Sequence, residues 1–216
     1  MSIIVNALTY THPDRELLFD NLTVAVSSGH KAALVGNNGA GKSTLLKLIA
    51  GRLQPVAGTI SLADTPWYIP QHTGQFDELT VAGLLGADQK RMALQAILTG
   101  DMAEHHFATL NDDWDIDERL EAALTHWHLA HLSPDQPVRS LSGGEKTRVL
   151  LAGVLIHAPS VLLMDEPSNH LDTESRHLLY AMIQQFKGTL LVISHDRLRQ
   201  DHIAQADHRA VIACIG

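Results

Sequence analysis

Residues 31–53 read KAALVGNNGAGKSTLLKLIAGRL. A short apolar run, KAALVG, stops at a glycine, and Leu45, Leu46, Leu48, Ile49 and Leu53 then recur near helical spacing. Between them, GNNGAGKS at 36–43 matches G-x-x-x-x-G-K-[ST], in the strand-then-helix context that this pattern requires. Gly36, Gly39 and Gly41 let the backbone fold tightly, so that successive N–H groups face a phosphate chain. The helix starting near Lys42 adds the positive end of its dipole. Gly36, Asn37, Asn38, Gly39, Ala40, Gly41, Lys42, Ser43 and Thr44 are therefore candidate nucleotide contacts. Lys42 is placed to reach the β- and γ-phosphates, Ser43 to give its hydroxyl to Mg²⁺, and Thr44 to hold the α-phosphate region.

A second stretch, VLLMDEPSNHLD at 161–172, ends a buried run in two adjacent carboxylates. Like charges that close raise each other's pKa and are costly unless a cation lies near. Asp165, at the end of the strand, suits the acid that holds Mg²⁺ in phosphate-loop enzymes. Glu166, one residue on, suits a general base that polarises an attacking water.

Around these stretches, strands alternate with helices. Strands are expected in SIIVNAL and NLTVAV, then at GTISLA and WYIP, with a turn at SSGH (27–30). From about 78 to 132 the apolar spacing turns helical, and a helical lobe over about 78–140 is expected inside an α/β core. SGGEKTRVLLAGVLIHA reads as a long buried helix and VLLMD as a parallel strand buried on both faces. A helix at about 173–186 and the strand GTLLVIS follow. Such alternation implies a mostly parallel sheet.

LSGGE at 141–145, 20 residues before VLLMDEP, resembles the signature of ATP-binding-cassette (ABC) ATPases. Gln71 in YIPQ resembles that family's Q-loop, and His195 in ISHD its switch histidine. The resemblance implies an α/β P-loop NTPase core of the ABC ATPase type, with an N-terminal antiparallel β subdomain, making residues 1–216 a single nucleotide-binding domain. It implies that Gln71 senses or ligates Mg²⁺ and the attacking water, and that His195 contacts the γ-phosphate. It also implies that Ser142, Gly143 and Gly144 face the γ-phosphate held by a different cassette. A serine and two glycines ahead of a helix can present a hydroxyl, N–H groups and a dipole to an anion. The same residues can form a helix N-cap, with Glu145 completing a capping box, and both readings can hold together. For the adenine, where the family stacks an aromatic side chain, Tyr10 and His12 in LTYTHP compete, and Pro13 favours His12.

SNHLD at 168–172 and the continuation LSGGEKTRVLLAGVL resemble the ABC-F branch, which includes ribosome-associated translation and resistance factors. That branch joins two cassettes through a basic helical linker, and one cassette is found here. The chain is therefore expected to need a second cassette, as a homodimer or as a missing C-terminal half, to turn over ATP with Mg²⁺. A fragment or truncated frame and a natural single-cassette relative both remain open. The competing readings are the ATP-binding subunit of an ABC membrane transporter and an inert nucleotide-binding half.

The formal net charge of −8 argues against nucleic-acid binding by bulk electrostatics. No apolar stretch approaches the roughly 20 residues that span a bilayer. The single cysteine, Cys214, and an N-terminus without a secretory pattern fit a cytoplasmic protein. Histidines 126, 128 and 131 do not share one helix face well, which argues against a metal site. Trp114 and Trp127 are expected to anchor the helical lobe, and Asp112, Asp113, Asp115 and Asp117 to form a solvated loop before a helix.

Overall fold

The computed structural model describes residues 2–14 and 17–194, and the backbone of 211–214. The described residues fall into two compact units. The first draws on Met1–Gln71, Pro159–Asn169 and Leu179–Gly216, and the second on His72–Ala158 and His170–Leu178.

Two sheets build the first unit. The N-terminal sheet is antiparallel in the order β2 (Leu17–Val26), β1 (Ile3–Thr11), β4 (Ala57–Leu62). The second is parallel in the order β5 (Trp67–Ile69), β6 (Val161–Asp165), β7 (Thr189–Ile193), β3 (Lys31–Val35), β8 (Val211–Cys214). Every residue of β6 and β7 is buried, as the continuous apolar runs predict for interior parallel strands. Helix α1 (Lys42–Ile49) buries Leu45, Leu46, Leu48 and Ile49 in a core shared with both sheets. The architecture is thus the expected α/β P-loop core with an N-terminal antiparallel subdomain.

A bulge in β1 sets which side chains meet that core. Ile3 and Val5 face inward, but the register shifts between Val5 and Leu8, where Ala7 takes φ +50°. One extra residue exchanges the two faces of a strand, so Leu8 and Tyr10 point inward instead of Ala7 and Thr9. Gly58 of β4 accommodates the bulge: a Cβ there would lie 2.4 Å from the Ala7 carbonyl oxygen.

The second unit is helical: α2 (Val81–Leu84), α3 (Asp88–Leu98), α4 (Glu104–Leu110), α5 (Ile116–His126), α6 (Gly143–His157) and the first turns of α7 (Thr173–Gln185). On α5, Ile116, Leu120, Ala123 and Leu124 form a buried stripe at helical spacing, and the helix packs on α6. Helix α6 is buried nearly all round, as its sequence predicts. Helix α4 was not anticipated; Leu110 is its one buried residue.

Two expectations are corrected here. Trp127 is fully buried, but Trp114 is half exposed and meets Phe107 edge-on at 6.3 Å. The aspartates around 112–117 are not simply solvated. Asp113 pairs with Arg119 and with Lys90 at 2.6 Å, and Asp117 pairs with Arg91 at 2.6 Å. Burial raises the Asp113 pKa, yet the Lys90 and Arg119 cations hold it below the usual carboxylate range. Lys90 and Arg91 come from α3, beyond the reach of local sequence reading, whereas Arg119 lies six residues after Asp113.

Candidate functional site

Five chain segments converge on one cleft of the first unit. The loop between β3 and α1 supplies the phosphate-loop residues. Gly39 and Gly41 take φ +84° and +86°, the left-handed region that glycine occupies without strain. At Gly41 a Cβ would also lie 2.7 Å from the Phe19 ring, so shape and conformation both require glycine. Lys42 begins α1 with its side chain turned back over the loop. Its ammonium donates to the carbonyls of Gly36 and Asn37, both at 2.8 Å. Lys42 is 7% exposed, and a buried ammonium requires such partners.

The next residue reaches across the parallel sheet. Ser43 Oγ donates to Asp165 Oδ1 at 3.1 Å. Strand β6 ends at Asp165, which is 1% exposed. Glu166 then takes φ +50°, a conformation that costs about 1–3 kcal/mol for a side-chain-bearing residue. Its N–H is pinned to the Ile193 carbonyl at 3.1 Å, and its own carbonyl accepts from Asn169 N–H at 3.2 Å. Both consecutive acids line a single cleft, and the positive-φ turn at Glu166 is the feature that the sequence did not reveal. Behind them, the Tyr68 hydroxyl has its pKa pushed up by burial and then by the Asp165 charge.

The cleft measures about 480 Å³, and its lining includes Asn38, Gly39, Gly41, Lys42, Ser43, Thr44, Gln71, Asp165 and Glu166. Gly36 and Asn37 serve it through the carbonyls that hold Lys42, while Ala40 packs against the apolar core. His12 lines the cleft and pairs with Asp14 at 2.9 Å. Tyr10, its competitor for the base contact, is corrected to a core residue: it is 7% exposed and turned inward by the β1 bulge. Asp14, Leu18 and Ile193 also line the cleft and were not anticipated. They carry no motif of their own and are brought there by tertiary structure. His195 lies outside the described residues.

The second unit carries Ser142, Gly143 and Gly144 at the start of α6. The capping box is present: Ser142 Oγ accepts from Glu145 N–H at 3.3 Å, and Ser142 N–H donates to Glu145 Oε2 at 2.8 Å. A Cβ on Gly144 would lie 2.6 Å from the His170 carbonyl oxygen. These residues, with Arg148, His170 and Asp172, line a separate cleft of about 320 Å³.

Comparison with known proteins places this geometry in a family. The profile of the ABC transporter family matches residues 19–169, which is most of the chain. The chain belongs to the ABC transporter family. This ABC cassette is 34% identical to the tylosin resistance ATP-binding protein TlrC of Streptomyces fradiae, over 92% of this chain and 40% of that protein. It is 32% identical to the energy-dependent translational throttle protein EttA of Mycobacterium tuberculosis, over 90% of this chain and 38% of that one. Both relatives are ABC-F family members. The cassette thus spans well under half the length of these relatives. It also superposes on a solved ATP-binding subunit of an ABC transporter with a TM-score of 0.69 at 25% identity, covering 94% of this chain and 83% of that one. Among the described residues, no helix of the cassette is long and apolar enough to cross a membrane.

Proposed function

We propose that the cleft of the first unit binds ATP with Mg²⁺ and hydrolyses it once a second cassette closes over the nucleotide. The observation that carries this reading is the convergence of Lys42, Ser43, Asp165 and Glu166 on one cleft. The donor set fits magnesium: a hydroxyl and a carboxylate oxygen, both hard ligands, lie 3.1 Å apart. When bound, magnesium neutralises phosphate charge and orients the phosphate chain. The loop N–H groups and the Lys42 ammonium bind the β- and γ-phosphates, Lys42 leaving the Gly36 and Asn37 carbonyls to do so. Glu166 accepts the proton of the attacking water, and Gln71 orients that water. His195 contacts the γ-phosphate, and His12 lies against the adenine.

Ser142, Gly143 and Gly144 bind the γ-phosphate held by another cassette, so one chain carries two halves of different sites. Turnover then requires a homodimer or a second cassette. Turnover per molecule that rises with protein concentration supports this reading, and a flat rate near zero at all concentrations favours an inert nucleotide-binding half.

The relationship to EttA, whose name describes a translational throttle, supports a cytoplasmic role at the ribosome. The likeness to a transporter's ATP-binding subunit favours the alternative, a motor for a membrane permease. Sedimentation with ribosomes in the presence of ATP supports the first, and co-purification with a membrane subunit supports the second.

A further inference from the structure

The Glu145 carboxylate poses an electrostatic problem for an anion-binding helix start. It is favoured by the dipole of α6, but its charge lies beside Ser142, where the proposed function brings the phosphate of another cassette. Its two oxygens have different partners. Oε2 accepts from Ser142 N–H at 2.8 Å and from Ser142 Oγ at 2.7 Å. Oε1 lies 3.1 Å from Nε2 of His131, in the segment between α5 and α6. We propose that His131 is a positioning residue for the signature: it holds Glu145 by Oε1 and so orients Ser142 through Oε2.

The backbone N–H of Ser142, then its hydroxyl, keeps the Glu145 pKa below the usual carboxylate range, so the group is ionised at neutral pH. The His131 side chain is 59% exposed against 22% for Glu145, so the histidine can be replaced without opening a cavity in the core. Lys146, next along α6, pairs with Asp77 at 2.5 Å. His128 faces Glu174 at 3.7 Å, and Asp172 Oδ1 accepts from Ser175 N–H at 2.7 Å. Arg148 and His170 line the adjoining cleft. Of these histidines, His131 is the one bonded to the capping box.

This inference rests on the proposed role of the signature, and two measurements separate the failures. Amide exchange at Ser142 needs no second cassette. His131→Ala is expected to speed it about fivefold or more, and His131→Gln, which retains a donor, to restore much of the protection. Unchanged exchange in His131→Ala overturns the positioning role whether or not the cassettes associate. The second measurement is the protein concentration for half-maximal ATP turnover. His131→Ala is expected to raise it about five- to tenfold, and His131→Gln, which retains a donor, to restore much of the wild-type value. A midpoint unchanged in His131→Ala overturns the effect of the positioning on the signature. Wild-type turnover that shows no concentration dependence, with the exchange result intact, overturns the signature reading instead.

Discussion

Ser43 and Asp165, 122 positions apart, are joined by a hydrogen bond of 3.1 Å from the hydroxyl to the carboxylate. One residue lies in the first turn of the helix after β3 and the other closes β6. The bond therefore ties the phosphate loop to the end of β6, and in the proposed function its two oxygens are the ones that would hold magnesium. Ser43→Ala removes one of them and leaves the loop N–H groups in place. ATP affinity is expected to fall about tenfold with Mg²⁺ and to change little without it, since a hydrogen bond or ligand involving charge contributes about 1.5–3 kcal/mol. Titration with and without the metal reads the difference, and equal losses in both would contradict the assignment.

Lys42 is buried, and two loop carbonyls hold its ammonium. Lys42→Ala is expected to weaken nucleotide binding itself by about tenfold or more, because charge-assisted bonds to phosphate are roughly twice as strong as neutral ones. Unchanged affinity in a direct titration would remove Lys42 from the site.

Glu166→Gln keeps the shape of the turn and removes the basicity. Binding is expected to persist while steady-state hydrolysis falls about 100-fold or more. Undiminished turnover would take Glu166 out of the general-base role.

At Gly144 two effects oppose. Alanine is favoured over glycine in a helix by about 1 kcal/mol, but its Cβ would lie 2.6 Å from the His170 carbonyl oxygen. Overpacking against backbone costs about 1–3 kcal/mol, so Gly144→Ala is expected to destabilise. Denaturant unfolding checks the sign, and a more stable variant would show that the backbone yields.

Glu145 links folding to pH. Its folded-state pKa is depressed, first by the Ser142 N–H and then by the Ser142 hydroxyl. The stability it contributes is therefore present above the ordinary carboxylate pKa, about 4.3, and is lost as pH falls through the lower folded value. Glu145→Gln is expected to reduce the acid dependence of stability in that window and to leave the slope above pH 6 unchanged. An unaltered slope below pH 4 would contradict the coupling.

What could be read from the chain was local. The strand–loop–helix at 31–53 announces itself by a short apolar run, glycines and helical spacing, and the structure places it as expected. The capping box is legible for the same reason, since Ser142 and Glu145 lie three residues apart. Features that depend on distant partners were not legible. Tyr10 enters the core because a bulge at Ala7, matched by Gly58 on another strand, exchanges the faces of β1. Strand β8 is only four residues long and gains its place by pairing with β3, far earlier in the chain. The acids near 112–117 look like a solvated loop until Lys90 and Arg91 of α3 are brought beside them.

The central claim is that ATP is held with magnesium between the loop of Lys42 and the end of β6. A crystal structure of the Glu166→Gln protein with ATP and Mg²⁺ tests it most directly. The expected result is a metal about 2.1 Å from Ser43 Oγ, replacing the Ser43–Asp165 bond, with the Lys42 ammonium moved onto the phosphates. Nucleotide bound elsewhere, with Ser43 still bonded to Asp165 and Lys42 still on the loop carbonyls, would contradict the claim.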